Sequence, residues 1–91
     1  MNELQYGQVV KSKAGRDKDK IFVIINIKGE YAYLADGNLR RIEKPKQKKL
    51  KHIQPTNHVI YEIKEKLIRD KKVTNVEIRR NLAVYKVNDQ S

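Results

Sequence analysis

Cysteine and tryptophan are absent from the 91 residues, and proline occurs only twice. Without cysteine no disulfide framework and no thiolate zinc site can form, so a small core must hold without staples, which fits a reducing, cytoplasmic setting. Long apolar runs are missing too. The longest, Ile21 to Ile25, falls far short of the ~20 residues that cross a bilayer, and the opening MNELQYGQVV lacks a basic stretch followed by an apolar one. Neither membrane insertion nor secretion is expected. Acidic residues are scarce beside basic ones, 11 Asp and Glu against 21 Lys and Arg, which gives a formal charge of +10. That excess points to a polyanionic partner, nucleic acid foremost, and disfavours self-association, so a monomer is expected.

Catalytic constellations are also lacking. His52 and His58 do not have the spacing of a zinc pair, and the chain contains no phosphate-cradling glycine loop of the nucleotide-binding type and no nucleophile elbow. The close carboxylate pairs, Asp17 with Asp19 and Glu62 with Glu65, sit among lysines that can simply pair with them. No enzymatic activity, cofactor or metal is expected.

What is present is a small folded domain, 38% hydrophobic, with its apolar residues gathered in short runs. From Gln5 to about Gln54, β-branched and aromatic runs separated by turn residues predict strands over Tyr6–Ser12, Lys20–Lys28, Tyr31–Ala35, Asn38–Ile42 and Leu50–Gln54. In the second of these, Val23, Ile25 and Ile27 fall on one face while Phe22 and Ile24 fall on the other. Two apolar faces suggest a closed, curved sheet. Asp36-Gly37 reads as a hairpin turn, and Pro55 is expected to end the fifth strand.

Beyond Pro55 the hydrophobic period lengthens. Val59, Ile60, Ile63 and Leu67 predict a helix over Asn57–Asp70, with Glu62–Lys66 and Glu65–Arg69 ion pairs on its exposed side. Thr74 and Glu77 match a capping box, so a second helix should run from Asn75 to about Tyr85 with Ile78, Leu82 and Tyr85 turned inward. Tyr61 is expected to pack as well. The chain thus divides into a strand-rich part, residues 1–54, and a helical hairpin with a frayed tail, residues 55–91.

The charge is uneven, with 13 basic and 6 acidic residues up to His52 and 8 and 5 after it. Arg40, Arg41, Lys44, Lys46, Lys48, Lys49 and Lys51 crowd into thirteen residues in which Glu43 is the one acid. Against a phosphate backbone such a segment gains by releasing condensed counterions. A second cluster, Lys11, Lys13, Arg16, Lys18 and Lys20, surrounds Gly15. Glycine takes positive φ and lets backbone N–H groups approach a phosphate, while Arg16 offers a forked head that lysine lacks. The plain alternative for both segments is a solvated loop with local ion pairs. Tyr31 and Tyr33, two apart on one strand face, could stack unpaired bases. With one Phe and no Trp to fill a core, packing is the preferred role for them.

The stretch from Gly7 to Ile24, GQVVKSKAGRDKDKIFVI, resembles the KOW motif of ribosomal and transcription-elongation proteins: a glycine-led strand, a basic loop with a central glycine, and an apolar strand. Its continuation through Asp36-Gly37, Arg40, Pro45-Lys46 and Lys51-His52-Ile53-Gln54 is similar to small bacterial relatives of KOW-domain large-subunit ribosomal proteins of archaea and eukaryotes. The resemblance implies a five-stranded SH3-like barrel, followed here by the α-helical hairpin, that binds RNA, ribosomal RNA foremost, with ribosomal proteins as neighbours. It also implies that Lys11 to Lys20 form the RNA-facing loop. One departure is Asp19, which stands where many members carry a second glycine; aspartate tolerates the left-handed conformation that the turn needs. Two rival readings are a protein-interaction adaptor for an acidic surface and a helix-turn-helix whose second helix, with Arg79, Arg80 and Asn81, enters a DNA major groove.

Overall fold

The computed structural model describes residues 4–89. Five antiparallel strands, β1 (Gln8–Ser12), β2 (Ile21–Lys28), β3 (Tyr31–Ala35), β4 (Lys46–Lys49) and β5 (Ile53–Val59), form one sheet in the order β4-β3-β2-β1-β5. Helices α1 (Tyr61–Ile68) and α2 (Asn75–Asp89) follow, so the chain is mainly β with a helical C-terminus. The outer strands β4 and β5 do not pair, and the sheet is therefore open.

It is nevertheless strongly curled. Only the 3₁₀ turn Leu50–His52 links one edge strand to the other. The four Cα steps from Lys49 to Ile53 reach at most ~14 Å. The edges of a flat five-stranded sheet lie ~19 Å apart, at ~4.8 Å per strand. The sheet has to fold over to let so short a turn span its two edges, and the turn is pinned at both ends: the Leu50 N–H donates to the Glu30 carbonyl at 2.8 Å, beside β3, and the Lys13 N–H to the His52 carbonyl at 2.9 Å, beside β1.

Both faces are buried, as the two apolar sets of β2 imply. On one, Val9, Val23 and Ala35 meet Ile60, Ile63, Val73, Ile78 and Leu82 from the C-terminal part. On the other, Val10, Phe22, Ile24, Ala32, Leu34 and Ile53 pack together inside the curl. Ile27 belongs with this second set and not with Val23 and Ile25. The reason is a bulge: β2 holds one extra residue between the Ile24–Leu34 and Asn26–Tyr33 pairs, which reverses the alternation beyond it. Asn26 braces the bulge, its Oδ1 accepting from the Ile27 N–H at 2.9 Å and the Tyr6 hydroxyl at 3.2 Å.

The fourth strand is not Asn38–Ile42. Asp36 Oδ1 accepts the N–H groups of Asn38 and Arg40, and the Arg40 carbonyl accepts those of Asp36 and Gly37, so side chain and backbone close a loop in place of a ladder. The strand beside β3 is Lys46–Lys49 instead. Pro55 does not end β5 but lies within it, opposite Val10. An edge strand tolerates proline because one row of its N–H groups needs no partner. Since β5 runs on through Val59, α1 starts at Tyr61 rather than Asn57, and a division between residues 54 and 55 would cut a strand.

Around α2 the capping box forms: the Glu77 N–H donates to Thr74 Oγ1 at 3.2 Å and the Thr74 N–H to Glu77 Oε2 at 2.8 Å. The Glu65–Arg69 pair forms at 3.2 Å, but Lys66 bonds Glu77 and Glu62 accepts from Asn81, so these side chains tie the helices to each other. Tyr85 packs on the helical side of the core beside the His58 ring, whereas Tyr61 is 66% exposed and packs little. Two glycines set how closely the helices approach. A Cβ at Gly7 would lie 2.9 Å from the Ile60 carbonyl oxygen and Lys64 Cβ, and one at Gly37 would press into the Asn75 carbonyl. Both have positive φ, +80° and +77°. Among the described residues no helix is long and apolar enough to cross a membrane, and no group of His, Asp and Glu could hold a metal ion.

Candidate nucleic-acid interface

The β1–β2 loop is a braced structure. Asp19 donates its N–H to the Ser12 carbonyl at 2.8 Å and Ser12 returns its own to Lys20 at 3.1 Å, while turns close from Lys18 to Gly15 and from Lys20 to Asp17. Two left-handed positions make this possible, Gly15 at φ +83° and Asp19 at φ +70°, so aspartate does take the conformation for which a glycine would be the usual choice. The backbone N–H groups of Gly15 and Arg16 make no hydrogen bond to a described residue, and both residues are exposed.

Asp17 is the loop's anchor. It is buried, with 7% of its surface accessible, and its carboxylate gathers cations from far along the chain. Lys46 hydrogen-bonds Oδ2, Arg40 Nη2 lies 3.4 Å from the same oxygen, and Lys20 Nζ lies 3.7 Å from Oδ1. The hydrogen bond from Lys46 outweighs the cost of cover from solvent, and Asp17 stays below the usual carboxylate range. Beside it Lys48 donates to the Ala14 carbonyl at 2.8 Å. Burial, followed by the nearby Lys46 charge, lowers the pKa of Lys48.

This arrangement follows from the register of β4. Lys46 pairs with Leu34 and Lys48 with Ala32, so both ammonium groups rise on the inner face and meet the loop. Gln47 and Lys49 pair with Tyr33 and Tyr31 and face the other way, toward the helix side. The two basic segments expected from sequence are thereby joined into one surface, but their residues differ in availability. Lys46, Lys48, Arg40 and Lys20 are engaged with the loop, and Arg41 pairs with Glu43 at 3.5 Å. Lys13, Arg16, Lys18, Lys44, Lys49 and Lys51 are exposed and have no acidic partner among the described residues. Lys11 is half-buried and, alternating with Val9, lies on the helix face of the sheet, away from the loop tip.

The N-terminal end of α2 is occupied by its own fold. Asn75 Oδ1 accepts the Ile42 N–H at 2.8 Å, its Nδ2 binds the Glu43 carboxylate, and Arg79 donates to the Gly37 carbonyl at 2.7 Å. The hydrogen bond from Asn75 is the leading cause that keeps Glu43 below the ordinary carboxylate range. Sequence reasoning missed Asp17 as an organiser, because two of its three partners, Arg40 and Lys46, are distant in the chain. The local hint was a pair of acids, Asp17 and Asp19, in a loop of five basic residues. No family model and no curated protein matches this chain.

Proposed function

We propose that this protein is an RNA-binding module without catalytic chemistry, an SH3-like roll of the KOW kind that docks on structured RNA, with ribosomal RNA the foremost candidate in the cytoplasm. The observation that carries the reading is the Asp17 tether. One buried carboxylate holds the β1–β2 loop against β4 and leaves Lys13, Arg16, Lys18, Lys44, Lys49 and Lys51 free at the surface. A rigid, patterned array of unpaired cations suits a phosphate backbone, where ordering has already been met by folding. The strand order and the 3₁₀ turn between the two edge strands support the SH3-like roll, and the KOW resemblance of Gly7 to Ile24 supports RNA over other polyanions. The helix-turn-helix reading is disfavoured because Asn75 and Arg79, at the end of α2 that would enter a groove, are bonded to residues 37–43.

The test is an equilibrium titration of the full chain against a structured ribosomal RNA fragment, duplex DNA and an acidic peptide at several salt concentrations. If four to six phosphates are neutralised, log K should fall against log salt with a slope of about −3 to −5. RNA should bind more tightly than duplex DNA at matched salt. A slope indistinguishable from zero would remove the electrostatic mechanism, and preference for the acidic peptide would favour an adaptor.

A further inference from the structure

On the helix side of the sheet, the helices leave part of the strand surface uncovered. Ile25, Tyr33, Ile42, Pro45, Leu67 and Val73 line an open groove of about 410 Å³, inside the ~300–1,000 Å³ typical of small-ligand sites. Besides the Tyr33 hydroxyl, the polar side chains of the lining are those of Asn26 and Lys28, and no carboxylate lines it. Asn26 Oδ1 is already engaged in bracing the bulge. The rim is cationic. Lys28 Nζ lies 5.8 Å from the Tyr33 ring centroid, at the outer limit of a cation–π contact and free to move. Lys44 precedes Pro45 and Lys72 precedes Val73, both exposed and without an acidic partner among the described residues. Glu43, the acid nearest in sequence, is held by Asn75 and Arg41.

An apolar floor, an aromatic wall and a rim of ammonium groups complement a nucleobase flanked by phosphates. An uncharged apolar helix would leave the rim unmatched. The position also fits. β4 is an edge strand, with Lys46 and Lys48 reaching toward the loop and Gln47 and Lys49 facing Tyr33 and Tyr31. A nucleic-acid strand held by the loop surface needs to cross only this one narrow edge to reach the groove.

We infer that the groove receives a single unpaired base of the bound RNA, with Tyr33 as its aromatic wall and Lys28, Lys44 and Lys72 taking the adjoining phosphates. The inference rests on the RNA reading above and narrows it to RNA that presents a bulged or looped-out nucleotide.

Two RNA hairpins test it, identical except that one carries a single bulged adenosine. The full chain should bind the bulged hairpin roughly 5- to 150-fold more tightly, the range that one stacked base provides. Tyr33→Leu, which keeps apolar volume but removes the flat ring, should erase that preference while leaving affinity for the paired hairpin nearly unchanged. Since the chain has no tryptophan, Tyr33→Trp adds a single fluorescent reporter that the bulged hairpin should quench and the paired one should not. Equal affinity of the parent for both hairpins, or equal weakening of both by Tyr33→Leu, would overturn the base site and leave the RNA reading standing. Absence of salt-dependent binding to either hairpin would overturn the RNA reading, and the base site with it. A dimer in sedimentation that Tyr33→Leu dissolves would assign the groove to a second copy of the chain and overturn the inference.

Discussion

Asp17→Asn separates the tether from the charge, because it removes the anchor while making the protein more positive. The buried carboxylate accepts a charge-assisted hydrogen bond from Lys46, a type of bond worth about 1.5–3 kcal/mol. Arg40 and Lys20, 42% and 52% exposed, add little each, about 0–1 kcal/mol for screened pairs. A fully enclosed pair would lose about 3–5 kcal/mol when one partner is removed, but Lys46, 21% exposed, can turn its ammonium toward water. The expected loss is therefore about 2–3 kcal/mol, or ~10–20 °C in the thermal midpoint of a domain this size. Circular dichroism followed through heat and urea unfolding measures it.

The pH dependence has a defined sign. Asp17 titrates below 3.8 when folded, so the unfolded chain binds the proton first. Its stabilising contribution is present above the unfolded value and is lost as pH falls through the lower folded one. The gap between parent and variant should thus be constant at neutral pH and close only in acid below about 3.8. RNA binding gives the sharper contrast. The formal charge rises by one from +10, so a mechanism of diffuse field alone predicts equal or tighter binding. A tethered surface predicts binding at least ~5-fold weaker at a temperature where both proteins are folded, since the loop must then be ordered on binding. A midpoint shift under ~2 °C, or an affinity that improves, would refute the role given to Asp17.

The remaining expectations can be checked by denaturation and titration. Gly37→Ala adds a methyl group against the Asn75 carbonyl at φ +77° and should cost about 3–4 kcal/mol in urea unfolding. Gly29→Ala, at φ +58° with open space around it, should cost only about 1–2 kcal/mol; equal losses would show that the contact with α2 is unimportant. Thr74→Ala removes the α2 cap and should lower stability by about 1 kcal/mol, with no effect on RNA affinity. Arg16→Lys keeps the charge but loses the fork, and should weaken RNA binding by about 1–3 kcal/mol if Arg16 makes a bidentate contact. Lys51→Arg is the suitable control because Lys51 is exposed and free of an acidic partner among the described residues, whereas Lys48 is bonded to the loop.

Elements whose signal is local were legible. Alternation and bounding turns located β1 to β3 to within two residues, and the capping box fixed the start of α2 at Asn75. β4 was not legible, since Lys46-Gln47-Lys48-Lys49 has neither β-branching nor apolar alternation and is a strand only because β3 offers it a ladder. The β2 bulge at Ile25 and the edge position of Pro55 are likewise decided by neighbours, and no propensity could reveal which strand lies outermost. A change of hydrophobic period does occur near Pro55, but β5 uses Asn57 to Val59 before the helix begins.

The candidate site was legible as charge and illegible as geometry. Counting lysines treats them as equivalent, whereas Asp17 engages Lys46 from 29 residues away and Arg40 from 23. Such pairing depends on the curl that brings β4 over the loop, and a reading confined to near neighbours finds only Lys20 of the three partners. The difference is measurable in the salt slope. Twelve basic residues occupy the two segments, and if all released counterions, the slope would be about −8 to −11. With Lys46, Lys48, Arg40 and Lys20 held by the loop, Arg41 by Glu43, and Lys11 half-buried, six exposed cations remain. Six contacts cap the slope near −5. A steeper value, approaching −8, would mean that phosphate displaces the Asp17 carboxylate and that the surface opens as it binds. In that case Asp17→Asn should tighten RNA binding, and the tether would be refuted as the organiser of the bound surface, whereas a slope near −5 with weaker binding by the variant supports it.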